Sequence, residues 1–382
     1  MFHPLAHVFY KEKGAKKAGD PGSNPGGSIS AFYQKNLKEN SHIEDMKDRG
    51  EPRIIIWDID GILIYVGDSY RKTIVNTVQY YFSECLGLKL NKYLINRATT
   101  QEFKLAGGFN DDWELTYAVI LCYLSKLISN LDRKPDLEPH SGDLDEMLER
   151  LRYLGSTYPG DPLRLDLKKI TRRIEEYGGG LDATEKTLME FFGEDLKIAK
   201  KFFFPELIKR IFEEIYLGKD LFCDKYKEQP RFFKGEGLIL NERPLVDLKT
   251  LLELRRKYYF GIVTGRERFE AELGLKNNFG KIFRPDLMVT REDTEAKKPA
   301  PEPLLKCKKR ICKKYKLGED AGAIYVGDSI DDLKAARNAN FYFIAILSGT
   351  ANARERDILR KKFHEMMSDL VIDDAKELLL YL

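Results

Sequence analysis

Two aspartates one residue apart, Asp58 and Asp60, close the run Ile54-Ile55-Ile56-Trp57-Asp58-Ile59-Asp60-Gly61. Three β-branched residues and a Trp read as a short buried strand that the acidic pair breaks off. In an open α/β sheet the carboxyl edge is where ligands bind. Two carboxylates there are costly unless a cation neutralises them or one holds a proton. The plainer reading is a turn, since Asp and Gly are ordinary turn residues. Three later stretches change the balance: Thr264-Gly265-Arg266, Lys298-Pro299-Ala300-Pro301 and Gly327-Asp328-Ser329-Ile330-Asp331-Asp332. Each alone is open to a bland account: Thr264-Gly265 could start a helix, Lys298 could be a solvated loop lysine, and Asp331 or Asp332 could cap a helix. Together they offer what phosphoryl transfer to a carboxylate needs. That set is a nucleophile, a proton shuttle, a hydroxyl and an ammonium for the phosphoryl oxygens, and acids for a hard cation.

The elements around these stretches place them on one edge. Strand patterns at 53–57, 258–263, 286–289, 323–326 and 341–346 alternate with helical patterns at 245–257, 302–316, 331–338 and 353–367. Such alternation predicts a parallel, doubly wound α/β sheet. Between the first and second strands the pattern is almost wholly helical. Residues 62–66 read as a short flap, and Asp68 or Ser69 then caps a helix with apolar positions at Tyr70, Ile74, Val78, Tyr81 and Cys85. Further helices are predicted at 113–131, 144–154, 165–177, 183–192 and 196–217. The run Gly178-Gly179-Gly180 reads as a flexible turn, because no strand precedes it as a phosphate loop requires. The expected organisation is an α/β core from 50–66 and 240–382, with an all-helical domain, 67–239, inserted into it.

Residues 1–45 stand apart, being polar and without helical or strand period. They lack the apolar run of a signal peptide and read as a disordered tail. The tetrapeptide Gly22-Ser23-Asn24-Pro25 offers a second reading, since the bases GGT-TCG-AAT-CCC of a transfer-RNA T-arm would encode it. On that reading the segment is spurious and Met46 is the first residue. In the whole chain, 64 basic and 61 acidic residues are interspersed and leave a formal charge of +3. That balance gives no reason to expect nucleic acid or a membrane as partner. The longest apolar run, 117–124, is far short of a membrane span. Five cysteines without a Cys-x-x-Cys point to a reducing compartment, and a cytoplasmic protein, monomer or homodimer, is expected. The five histidines lie outside all four stretches, which argues against zinc chemistry.

The four stretches, in this order and on this strand pattern, resemble the motifs of the haloacid dehalogenase (HAD) superfamily. The helical insertion is similar to the cap of its phosphoglycolate phosphatase branch, although longer. The resemblance covers about residues 50–382. It implies that Asp58 is the nucleophile and Asp60 the acid and base. It implies Mg²⁺ on the Asp58 carboxylate, the Asp60 main-chain carbonyl and Asp328, with Asp332 supporting the metal's waters and Asp331 a substitute. It gives Thr264, the Gly265 N–H at a helix start, and Lys298 to the phosphoryl oxygens. Halide leaves unprotonated, so an acid at Asp60 favours phosphate esters over carbon–halogen bonds. Within the cap, 107–113 is the stretch that could read a substrate; Asn110 and Asp111 are candidates there, and Arg266 is a third. The function expected is a Mg²⁺-dependent phosphatase acting on a small phosphorylated metabolite. A phosphomutase using the same aspartyl-phosphate, or a non-catalytic protein binding a phosphorylated ligand, are the alternatives.

Overall fold

A computed structural model of the chain describes residues 49–109, 111–135, 142–160, 163–350 and 352–382. Residues 1–45 and Asn110 lie outside the described residues.

Eight strands are present among the described residues: β1 (Pro52–Trp57), β2 (Ile64–Tyr65), β3 (Arg243–Pro244), β4 (Tyr259–Val263), β5 (Met288–Val289), β6 (Gly322–Gly327), β7 (Tyr342–Ile346) and β8 (Leu370–Ile372). Six form one sheet in the order β5-β4-β1-β6-β7-β8, every pair parallel. Successive strand residues point to opposite faces. Ile55, Trp57, Ile262 and Val326 therefore pack on the helices Leu248–Arg255 and Arg268–Phe279. Ile54, Ile56, Val263 and Tyr325 pack on Glu302–Tyr315, Ile330–Asn338 and Ala353–Glu365. Cover on both faces is why the strands read as continuous apolar runs. The sheet is the α/β fold that the alternation predicts. It gains β8, an edge strand of three residues too short for the sequence pattern to reveal.

The chain leaves the sheet after β1 and returns at β4. Where it leaves and returns, the flap strand β2 pairs antiparallel with β3, so the two crossings are tied together. Between them, among the described residues, lie helices Tyr70–Tyr80, Arg97–Ala106, Asp112–Ser129, Leu144–Thr157, Leu167–Glu176, Gly180–Phe192, Glu194–Lys200 and Pro205–Tyr226, the last broken at Gly218 (φ +71°). They enclose a hydrophobic core of their own, in which Phe82, Phe103, Phe202, Phe204 and Phe212 are fully buried. The pattern over 196–217, expected as one helix, is two. The chain breaks at Phe202–Phe204, and Pro205 opens the second helix, where its missing N–H is harmless. Ser69 occupies the cap position of Tyr70–Tyr80 without bonding the helix N–H groups; its hydroxyl donates to Glu242 at 3.1 Å.

Candidate active site

Parallel register delivers the first, second and fourth motifs to one edge. Trp57 lies between Ile262 and Val326, so the residues that follow each strand end together. Asp58 N–H donates to Val326 O at 2.9 Å and Thr264 N–H to Val289 O at 3.1 Å, which fixes the main chain at both places. Gly61 turns the chain at φ +76°, and a Cβ there would fall on Asp328 Oδ2. A glycine is what lets the Asp58 loop and Asp328 meet.

The third motif arrives from the loop after β5. Lys298 is buried, with Nζ 3.2 Å from Asp58 Oδ1 and 2.7 Å from Asp332 Oδ1, and it donates to Tyr325 Oη at 3.0 Å. Tyr325 O–H in turn donates to Asp332 Oδ1 at 2.9 Å. The other Asp332 oxygen accepts from Ser329 Oγ at 2.7 Å and from the Ser329 and Asp328 main-chain N–H groups at 3.0 and 3.3 Å. Asp332 therefore anchors the lysine and the β6 loop. Sequence reasoning missed Tyr325, although a Tyr among small apolar strand residues signals a buried hydroxyl in need of a partner.

Carboxylate oxygens of Asp58, Asp328 and Asp332 lie within 4.8 Å of one another. Burial pushes the Asp58 carboxyl well above its usual range; Lys298 opposes the rise, while Asp332, Asp60 and Asp328 add to it. Burial, with Asp332, pushes Asp328 up to about 7. Burial would raise Asp332 also, but Lys298 and its hydrogen bonds outweigh that and hold it below the usual range. Crowded, half-neutralised carboxylates of this kind are a donor set that fits a hard dication.

A cleft of about 110 Å³ opens over these groups, floored by Asp58, Asp60 and Asp328 and walled by Arg71, Lys104 and Phe109 of the helical insertion. The insertion is pinned to the sheet at its rim. Asp331, the expected substitute for Asp332, accepts from Gly108 N–H at 3.2 Å. The loop 107–109 also lies main chain to main chain against 179–180, where Gly180 N–H donates to Gly107 O at 2.9 Å. A Cβ at Gly108 or Gly179 would meet the facing backbone at 2.5 and 2.4 Å, so the glycine run at 178–180 is a contact surface as well as a turn.

Three expectations are corrected. Gly265 is not at a helix start: the helix begins at Arg268 with Glu267 as its cap, and Gly265 lines the cleft from the loop before it. Asp111 does not line this cleft but, with Thr264, Gly265 and Lys298, a small adjoining cavity of about 30 Å³; its buried carboxylate meets Lys297 Nζ at 2.5 Å and Arg291 Nη1 at 3.1 Å, tying the insertion to the loop after β5. Arg266 touches neither solvent nor the cleft. Its side chain is 1% exposed, and it donates to Asp60 Oδ1 from Nε and Nη2 at 2.8 and 2.6 Å. Two hydrogen bonds of 2.9 Å join it to Glu242. Nothing periodic in the sequence marks that pairing.

Comparison with known proteins bears on what this edge is. The model of the haloacid dehalogenase-like hydrolases matches residues 165–346, which hold Thr264, Lys298 and Asp328. The pyrophosphatase PpaX of Bacillus velezensis is 35% identical over 159 residues, covering 39% of this chain and 68% of the relative. The chain belongs to the haloacid dehalogenase-like hydrolases. It is an enzyme of the phosphatase type within that family. PpaX of Bacillus thuringiensis is 35% identical over 130 residues, so that this HAD chain spans 55% of that relative and the match 32% of the chain. A structural-genomics target solved by X-ray crystallography shares the fold at a TM-score of 0.58 and 20% identity, over 85% of this chain and 97% of its own. The family match starts within the helical insertion; β1 with Asp58 joins the other motifs through the sheet. Among the described residues no helix is long and apolar enough to cross a membrane.

Proposed function

We propose that the chain is a Mg²⁺-dependent phosphatase that hydrolyses a small phosphorylated metabolite through an aspartyl-phosphate on Asp58. The observation that carries this reading is the convergence of Asp58, Asp60, Lys298 and Asp328 on one cleft, with Lys298 Nζ 3.2 Å from the Asp58 carboxylate. An Asp58 oxygen attacks phosphorus and the ester P–O bond breaks. The departing alkoxide takes the proton of the Asp60 carboxyl. Asp60, now a carboxylate, removes a proton from water, whose oxygen attacks the acyl phosphate. The P–O bond to Asp58 breaks, inorganic phosphate leaves, and Asp60 is again protonated. Thr264, Gly265 and Lys298 hold the phosphoryl oxygens. The Asp58 carboxylate, the Asp60 carbonyl and Asp328 would hold Mg²⁺, with Asp332 supporting its waters. The bound ion would offset the repulsion between a carboxylate nucleophile and a phosphate dianion.

The same reading makes 50–66 with 240–382 the core and 67–239 a cap. A cap over the cleft excludes bulk water and large polymers, which favours small substrates. The test is Mg²⁺-dependent phosphate release from sugar phosphates, nucleotides, short phospho-acids and inorganic pyrophosphate, the last included because of the PpaX relatives. Release that requires Mg²⁺ and is lost in Asp58→Asn is expected. Release that survives in Asp58→Asn, or none from any compound with folded protein, overturns the reading.

A further inference from the structure

Asp60 uses only one of its oxygens for holding. Oδ1 accepts both bonds from Arg266, and no hydrogen bond to Oδ2 is formed among the described residues. The guanidinium is itself held on every side. Glu242 grips the adjacent Nη1–Nη2 edge, sharing Nη2 with Asp60, the Tyr70 ring lies 5.0 Å from Cζ, and the Arg266 main-chain N–H donates to Thr264 Oγ1 at 3.2 Å. Glu242 is fixed in turn by Tyr216 O–H at 2.8 Å and by Ser69 Oγ. Room for the guanidinium comes from a glycine. A Cβ at Gly274 would lie 3.0 Å from Arg266 Nη1 and 3.2 Å from Glu242 Oε2.

A buried acid–Arg–acid triad adds little stability that apolar side chains of the same volume could not supply. What it supplies is direction, since an Arg fork fixes a carboxylate in one orientation. We propose that Arg266 is a positioning residue for the proton transfers of Asp60: it locks Oδ1 so that Oδ2 faces the reacting oxygen. Glu242 locks Arg266. Ser69 and Glu242 belong to the two crossings into the insertion, and Tyr70 and Tyr216 to the insertion itself. The aim of Asp60 is therefore set at the joint between sheet and cap. This inference rests on the phosphatase reading, in which Asp60 is the acid.

The test separates leaving groups. 4-Nitrophenyl phosphate expels a stable phenolate and gains little from an acid, whereas glycerol 2-phosphate expels an alkoxide that requires one. For Arg266→Gln, kcat/KM for glycerol 2-phosphate is expected to fall on the order of 10²-fold, the scale of general acid catalysis, and for 4-nitrophenyl phosphate less than about tenfold. Asp60→Asn should show the same selectivity, and adding Arg266→Gln to it should bring no further selective loss. Arg266→Lys keeps the charge without the fork and should show the selectivity in smaller degree; it also carries the comparison if Arg266→Gln does not fold. Equal losses on both esters in the Arg266 variants, beside a selective loss in Asp60→Asn, overturn the inference alone. No selectivity in Asp60→Asn overturns the acid assignment, and the inference falls with it.

Discussion

Among the oxygens that Lys298 Nζ meets, the Tyr325 hydroxyl is one without charge, so it fixes the ammonium without neutralising it. Tyr325→Phe removes an acceptor for the ammonium and a donor to Asp332. A loss of about 1.5–3 kcal/mol in urea denaturation is expected, the scale of hydrogen bonds to charged groups. A raised KM should accompany it as Lys298 loosens. Gly61→Ala acts on the opposite wall: it combines a left-handed φ with a Cβ that collides with Asp328. On the Mg²⁺-dependent reading proposed above, the Mg²⁺ concentration for half-maximal activity should rise about tenfold or more, the usual scale when a ligand's supports are disturbed. At this scale, the placing of Asp58, Asp60, Thr264, Lys298 and Asp328 at one edge of the sheet was legible because each stands at a strand end or in an adjoining loop, where a polar residue after an apolar run stands out; their chemical roles belong to the proposal above. Arg266 was misread. Its partners Asp60 and Glu242 are distant in sequence, and ion pairs across a fold leave no period to read.

Between elements, a second buried charge cluster joins the helices Pro205–Tyr226 and Arg268–Phe279. Lys225 Nζ meets Glu213, Glu267 and Glu270 at 3.1, 2.8 and 2.7 Å. One ammonium cannot neutralise three carboxylates, and burial, with repulsion from Glu270, pushes Glu213 up to about 7 from 4.5. The folded state then holds a proton that the unfolded state has released. This contribution is complete below about pH 4.5 and is lost as pH rises through about 7. Glu213→Gln should remove the loss. In urea denaturation the variant gains on the parent as pH rises from 5 to 8, and a constant difference would refute the assignment. The helix Arg268–Phe279 was expected from its start alone, three residues early and without a span, because it serves two cores at once. Ala271, Leu275 and Phe279 face the sheet, while Phe269 and Leu273 pack against the insertion. Two apolar faces blur the single stripe that marks a surface helix.

Across the whole molecule, the insertion was legible as a change of period, helical from Tyr70 onward and strand-like again near β4. How it docks was not legible. Asp111 caps nothing with its side chain and clamps the insertion to the loop after β5. Asp111→Ala leaves Arg291 and Lys297, both partly exposed, without that anion. A loss of about 1–2 kcal/mol, screened relative to a fully buried pair, is expected in urea denaturation, with a raised KM as the cleft loosens. The glycine contact between 107–108 and 179–180 sets a different kind of limit. A Cβ at Gly108 or Gly179 would collide with the facing main chain and one at Gly180 would crowd it at 3.1 Å, while Gly107 has open space beside it and is held to glycine by its φ of +81°. The rim of the cleft is thus closed to gradual change by single substitutions, although none of those glycines is assigned a chemical step. Diversification toward new substrates must run through the flanks, at Gln101, Lys104 and Leu105 or at Phe109 and Asp112, all of which line the cleft. A mutant library that spares the four glycines should keep far more folded members than one that randomises the loop as a block.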